Sequence, residues 1–574
     1  MKLALPAFAR SVSERRNWPA TIDLAIFAAV IAAFYGFVQL AQYWWSAAVP
    51  SVSISHSAWA LPGYAFYSVV RLFTAYVLSL IFAIGYGYAA AYSPRIERVL
   101  IAILDILQSI PVLSFLPGVM LAMIALFPSR QIGVELGSIL LIFTGQVWNM
   151  AFSFYSSLKA IPPELREASG VYGFSRWQRF RQLELPYGAI GLIWNSMVSV
   201  AGGWFFLMAC EMFVLGKRDF RLPGLGSYLQ TAASDGDIPA MIRGLAAMIA
   251  VIVLTDFLLW RPLIAWSDKF KLEQVESGAA SESALLNLLR RSSVIERIGD
   301  ALRPAAESLN RRLIRKGPPA EASKPGSRVP GILAGLAILA ATGYGVFRAV
   351  ELVSGVSGGQ WLSTLHDALI TFARVNATLA IACLWTIPAG VAIASSPKLA
   401  RIAQPLAQIA ASVPATALFP ILLLALIQAG GGLGIASILL MLLGTQWYIL
   451  FNVIAGALAI PSELKEVGRV FRFDRLSRWR VVILPGIFPY LVTGLVTASG
   501  GAWNASIVAE YFHLNGRIYM TPGLGARISS ASDAGQFDVL LLSTIVMAAM
   551  VVCVNRLVWR PMYRLAETRY RMEG

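Results

Sequence analysis

Long apolar runs limit this chain more than any single motif. A helix needs about 20 apolar residues to cross a bilayer. By that measure the first half offers spans near 22–45, 65–92, 99–127, 134–158, 187–209 and 239–261. The second half offers spans near 330–352, 364–394, 401–428, 433–457, 486–508 and 537–558. The expected fold is therefore an all-α integral membrane protein with about twelve transmembrane helices. Composition agrees: 57% of the 574 residues are hydrophobic, only 14% are charged, and mean hydropathy is +0.66. Soluble chains carry about 25% charged residues, so a soluble enzyme, a disordered chain and a fibrous chain are all excluded.

The formal charge of +16 fits basic cytoplasmic loops rather than nucleic-acid binding. Met1–Trp18 is basic, and the apolar run after it is too long for a signal peptide. It reads as a first membrane helix with a cytoplasmic N-terminus. That start places the loop at 46–64, which lacks Lys and Arg, outside. Arg95, Arg98, the 159–185 loop and the basic 263–329 join then fall inside, and the C-terminus is cytoplasmic as well. Cys210, Cys383 and Cys553 are far apart and read as three buried small hydrophobes. The three histidines are scattered, with no metal-ligand spacing. No P-loop is present, so the chain does not bind ATP by that device.

The chain repeats itself. Ser93-Pro94 recurs as Ser396-Pro397, and Pro111 and Pro117 recur as Pro414 and Pro420, all displaced by 303 positions. Gly145, Trp148, Glu164-Leu165, Glu167, Leu185-Pro186, Trp204, Glu211 and Pro223-Gly-Leu-Gly226 recur displaced by 299. An even number of spans in each half makes the repeat parallel, with a pseudo-two-fold axis along the membrane normal. The natural pathway is the seam between the halves. The expected units are a first half over 1–262, a linker over 263–329 and a second half over 330–574.

The most informative segments are the loops at 160–186 and 459–485. The first reads Ile161-Pro-Pro-Glu-Leu-Arg-Glu-Ala-Ser-Gly-Val-Tyr-Gly173, then continues to Leu185-Pro186. A short helix opens after the prolines with acids in its first turn. Gly173 supplies a turn, an amphipathic piece with Arg176, Arg179 and Arg181 follows, and a new helix starts at Pro186. The second copy carries Glu463, Glu466, Arg475 and Pro485 in the same register.

This segment resembles the E-A-A-x(3)-G-x(9)-I-x-L-P loop of permease subunits from ABC importers. Glu167, Ala168, Gly173, Leu183, Leu185 and Pro186 fit the spacing; in the second copy Val467 replaces the alanine and Arg472 the glycine. The resemblance is to the nitrate/sulfonate/taurine branch, with two permeases fused in one polypeptide of the type I importer kind. It implies a bacterial inner-membrane protein without a catalytic centre. ATP and magnesium would be bound by a separate cytoplasmic ATPase dimer gripping both loops through Glu164, Glu167, Ala168, Gly173 and Arg176, and through Glu463, Glu466, Arg472 and Arg475. It further implies an external or periplasmic solute-binding protein on the opposite face. The other partner is membrane lipid, and no nucleic acid is involved.

Polar groups inside apolar runs are costly and mark candidate pathway positions. They are Asp105, Gln146, Asn149, Gln446 and Asn504, together with Arg71 and Arg374, which match across the repeat. Trp204 and Trp503 lie mid-span, each followed seven residues on by Glu211 or Glu510. Packing and pairing within the bundle are the competing reading for all of these. The outer loops with Pro-Gly-Leu-Gly are candidate docking elements. An ion-coupled secondary transporter of the six-plus-six kind is the alternative function, with Asp105 the obvious mid-membrane acid for its relay. The branch points to a small anion such as nitrate, bicarbonate or a sulfonate.

Overall fold

The computed structural model describes residues 53–128, 131–215, 218–219, 221–270, 329–460, 471 and 473–569, with isolated positions 42, 44, 46, 300, 304, 308 and 464. The expected span at 22–45 and most of the 263–329 linker lie outside the described residues. So do Glu463, Glu466 and Arg472.

The described chain is almost wholly helical and repeats one order of elements. In the first half these are α1 (Leu61–Tyr92), α2 (Pro94–Ser109), α3 (Leu116–Leu126), α4 (Ile132–Lys159), α5 (Pro163–Val171), α6 (Arg176–Glu211), a short hairpin β1–β2 (Val214–Leu215, Arg218–Asp219), α7 (Leu225–Asp235) and α8 (Ile238–Ser267). The second half has α9 (Val329–Ser354), α10 (Gly358–Ser395), α11 (Pro397–Ser412), α12 (Ala415–Gln428), α13 (Leu433–Ala459), α14 (Arg475–Ala509), hairpin β3–β4 (Tyr511–Leu514, Arg517–Met520), α15 (Leu524–Ala534) and α16 (Phe537–Ala566). Among the described residues, eight helices are long and apolar enough to cross a membrane, or nine if one bent pair counts as a span.

Within each half, two long helices pack on small residues. The buried face of α1 runs Ala75, Ser79, Ala83, Gly87 and Ala90. That stripe lets the α4 backbone approach: a methyl on Gly87 would lie 3.1 Å from Ala151 O. In the second half Thr371, Val375, Thr378, Ala382, Thr386 and Gly390 form the matching face of α10. In lipid, where apolar burial drives little association, such close backbone packing holds helices together.

Two expectations are corrected by prolines. The runs at 99–127 and 401–428 are not straight spans. Each breaks before a proline: Ile110 and Val413 are extended, with ψ of 130° and 121°. A residue before proline is pushed out of the helical region. In the second half the two pieces meet at 87°. The apolar pieces that follow are too short to span alone, at 11 residues in α3 and 14 in α12. Asp105 therefore sits in α2, in the piece before the bend.

The second correction concerns Pro186 and Pro485. No new helix starts there. The helix entered at Arg176 continues unbroken to Glu211, and the one entered at Arg475 continues to Ala509. Just before each proline one turn widens, so that Leu185 N–H reaches back to Phe180 O and Leu484 N–H to Trp479 O. A π turn relieves the clash and absorbs the donor that proline lacks. The same device precedes Pro262 and Pro561, over Asp256–Trp260 and Asn555–Trp559. It carries the last helix of the first half past residue 262, to Ser267.

The cysteine expectation holds only in part. Cys210 is buried and Cys383 half-buried, but Cys553 is exposed on α16.

Candidate functional site

At the loop end of the first half, α5 follows Pro162 and ends in a turn where Gly173 has φ +64°. That left-handed value favours glycine. Ser175 then starts α6 with a capping box: its hydroxyl accepts from Gln178 N–H, and the Gln178 side chain accepts from Ser175 N–H. Glu164, Glu167, Gly173 and Arg176 are exposed and Ala168 is half-buried. Beside them Val171 and Tyr172 are 88% and 78% exposed. The second half repeats this apolar tip: Phe471 is 69% exposed and packs on Phe473, ring centroids 6.2 Å apart, as Tyr172 packs on Phe174 at 6.5 Å. Arg475 is exposed there too.

The first loop is bolted to the bundle by charge. Glu184, fully buried, accepts from Tyr92 Oη (2.7 Å) and Arg179 Nε (2.8 Å). Arg179 also lies over the Tyr92 ring, 5.1 Å from its centroid, and Arg166 donates to Leu158 O. The corresponding positions in the second half hold Ser395, Ile483 and an exposed Arg478. Asp474 stands where Ser175 does and accepts from Ser477 N–H at 3.1 Å. Those hydrogen bonds hold its carboxyl below the ordinary aspartate value.

The opposite end carries a cap built from the residues matched by the repeat. Arg71 is 1% exposed and forks onto Glu135, from Nε (2.7 Å) and Nη2 (2.8 Å), while Nη1 pairs with Glu211. Ser68 donates to Glu211 Oε1 at 2.7 Å and accepts from Leu225 N–H at 2.9 Å. Gly226 N–H donates to Glu211 Oε2 at 2.7 Å. In the second half Thr371, Arg374, Leu524 and Gly525 make the same set of bonds to and around Glu510. Arg374 also donates to Thr521 Oγ1 and Pro522 O.

This explains the Pro-Gly-Leu-Gly repeat. A methyl on Gly224 or Gly523 would lie 2.3 Å from the glutamate carboxylate of its own half. The tetrapeptide turns inward and is stapled to the glutamate of its own half. Arg71, Arg374, Glu211 and Glu510, expected as pathway candidates, pair with one another inside each half. Trp204 and Trp503 are likewise buried, at 2% and 1% exposure, in the packed core.

The other candidates divide. Gln146 is buried, and neither of its amide atoms has a hydrogen-bond partner among the described residues. Gln446 accepts from Trp385 Nε1 at 3.1 Å within its own half. Asn149 is half-buried. Asn504 reaches across the seam, its Oδ1 accepting from Leu113 N–H at 3.5 Å. Thr544 crosses it too, donating to Ser114 O at 3.3 Å. At the cap end the β3–β4 tip sits on the last turn of α7: Asn515 N–H donates to Ala233 O and Gly516 N–H to Ser234 O. Sequence reasoning missed Ser68, Glu135, Tyr92 and Glu184. The Ser68–Thr371 match was the available signal for one of them.

Fold and site define a class: a helical membrane protein of two parallel repeats, each with an exposed loop rigidly joined to a seam helix. Residues 75–261 and 386–570 match the family described as binding-protein-dependent transport system inner membrane component. The chain belongs to that family, with two copies of its domain in one polypeptide. It is 30% identical over 185 residues to the nitrate import permease protein NrtB of Leptolyngbya laminosa, covering 32% of this chain and 63% of that protein. It is 28% identical over 201 residues to the bicarbonate transport system permease protein CmpB of Synechococcus elongatus, covering 35% and 69%. It is 28% identical over 204 residues to the taurine transport system permease protein TauC of Escherichia coli, covering 35% and 70%. The aligned part thus spans about two thirds of each relative's length.

Proposed function

We propose that the chain is the membrane permease of an ATP-driven ABC importer. Its two halves enclose the solute path, and a cytoplasmic ATPase pair grips the two loops. One observation carries this reading: in each half the amphipathic piece after the loop and the seam helix are one continuous helix, Arg176–Glu211 and Arg475–Ala509. A push on the loop is thereby delivered to the seam without a hinge. Glu164, Glu167, Ala168, Gly173 and Arg176, with Glu463, Glu466, Arg472 and Arg475 in the second copy, form the gripped surface. ATP and magnesium belong to the partner. An external solute-binding protein delivers the solute to the cap end, and the chain sits in the bacterial inner membrane with both termini cytoplasmic. By analogy with the named relatives, the solute is a small anion of the nitrate, bicarbonate or sulfonate kind.

The family match and the named permease relatives favour this reading over the ion-coupled secondary transporter. The deciding experiment reconstitutes the chain in liposomes with and without its ATPase. The importer reading expects uptake only with the ATPase and ATP. Uptake by the chain alone on an ion gradient would overturn it.

A further inference from the structure

The helix that starts at the second loop ends in a hook on the opposite half. α14 runs from Arg475 to Ala509, and β3 begins two residues later at Tyr511. The β3–β4 hairpin is tight. Leu514 pairs with Arg517, and the two residues between them, Asn515 and Gly516, have φ of +51° and +67°. Asn-Gly accepts the two left-handed positions of a type I′ turn, whose twist matches that of the strands. The root of the hairpin is fixed in its own half. Phe512 is buried and packs edge-on against Phe419 of α12, ring centroids 4.9 Å apart. Leu514 is buried as well. Thr521 N–H donates to Glu510 O at 3.1 Å, and Tyr511 Oη donates to Asp533 Oδ2 at 2.8 Å.

The tip is held by the other half. Asn515 N–H donates to Ala233 O at 3.0 Å and Gly516 N–H to Ser234 O at 2.7 Å, while Gln230 Nε2 donates to His513 O at 3.3 Å. The socket is the corner between α7 and α8. A methyl on Gly236, itself at φ +70°, would lie 2.7 Å from Asn515 Oδ1. His56 braces this corner, its Nε2 3.6 Å from Asp235 Oδ2 and its Nδ1 3.4 Å from Asp237 Oδ2. Asp237 also caps α8 by accepting from Ala240 N–H. The equivalent corner at Gly535 has φ +68°, but a methyl there would meet no described atom within 4 Å.

Root and tip are thus built differently. The root is tied down by buried rings and by the Glu510 cap. The tip, Asn515 to Ile518, is exposed and is held through backbone hydrogen bonds that water can replace at little net cost. A permanent joint between the halves would bury side chains at this point. A contact that opens and closes needs a stiff arm and a weak grip, and regions with few buried apolar contacts open first.

We propose that the β3–β4 tip is a latch that holds the cap end of the seam shut in this conformation, and that its release from the Gly236 corner is a step in every transport cycle. A rotation of α14 driven at the second loop reaches the tip through residues that the Glu510 cap holds fixed. This proposal rests on the importer reading and names the contact that must break when the cap end opens.

The test combines Ser234→Cys and Asn515→Cys in a chain freed of its native cysteines and assembled with its ATPase and solute receptor. The pair is joined by a short bifunctional thiosulfonate that dithiothreitol cleaves. Joined chains should lose ATP-driven uptake at least about tenfold and recover it when the link is reduced. Uptake undiminished by the link, or a pair that does not link, overturns the latch. Asn515→Asp works in the opposite sense. It keeps a turn former at the tip but sets a carboxylate beside Gly236, which Asp235 and Asp237 flank. ATP hydrolysis without receptor should rise about threefold at low salt and return toward wild type at high salt. Hydrolysis unchanged at both salt levels overturns the latch as the hold on the resting state. The two failures are distinguishable. Uptake by the unlinked chain without its ATPase fails the importer reading, whereas ATPase-dependent uptake that survives the link fails the latch alone.

Discussion

The two halves solve the same problem with different amounts of buried charge. At the cap end the first half encloses Arg71 between two acids, Glu135 and Glu211. The second half holds Arg374, 13% exposed, with one acid, a threonine and a proline carbonyl. Where Glu135 stands in the first half, the second has Gly434. At the loop end the contrast recurs: a buried Tyr92–Glu184–Arg179 lock on one side, and Ser395, Ile483 and Arg478 on the other. What both halves share is the minimum the architecture needs: an arginine, a glutamate, a hydroxyl and two glycines per cap, and a loop continuous with a seam helix. The additional acids belong to the first half alone.

That difference is testable by mutation. The largest effect is expected for Arg71→Ala, which leaves two buried carboxylates facing each other. Breaking a buried pair costs about 3–5 kcal/mol, so thermal unfolding of the solubilised chain should drop most here and less for Arg374→Ala. Equal losses would break the comparison. Next is Glu135→Ala, which empties one side of the arginine fork but keeps Glu211; about 1–3 kcal/mol is expected. Glu184→Gln should follow with a loss in the same range or below it. It should also weaken ATP-driven uptake, because the loop it anchors would no longer move rigidly with α1 and α6.

Surface changes at the loop tips should hardly alter stability. Tyr172→Ala and Phe471→Ala are expected within about 0.5 kcal/mol of wild type, yet each should weaken ATPase binding about tenfold if an exposed aromatic anchors the partner. The smallest effect concerns pH. Asp474, whose folded pKa is lowered by its cap bonds to Ser477, contributes stability that is present above the unfolded aspartate value and lost as pH falls through the folded one. Ser175 at the equivalent place does not titrate. Protection against amide exchange, relative to the intrinsic rate at each pH, should therefore fall in acid at the start of α14 but not at the start of α6.

Much of this was legible in the sequence because it is periodic. The apolar runs and the repeat register placed the bundle, the seam and both loops. Pairing was harder to read. Arg71 and Glu211 lie far apart along the chain, and the repeat marked both without joining them. Glu135 could not be found by the repeat at all, because its counterpart is glycine. The bends escaped because a hydropathy window averages across Pro111 and Pro414. The continuity of α6 escaped because proline ordinarily starts or breaks a helix, and only the widened turn before it shows otherwise.

The central claim is that both loops are handles worked from the cytoplasmic face. It is tested most directly by placing Tyr172→Cys or Phe471→Cys in a chain freed of its native cysteines and labelling with a membrane-impermeant thiol reagent from each side. The account predicts that both positions react only from the cytoplasmic side and that both are protected when the ATPase is added. Reaction from opposite faces, or labelling undiminished by the ATPase, would contradict it.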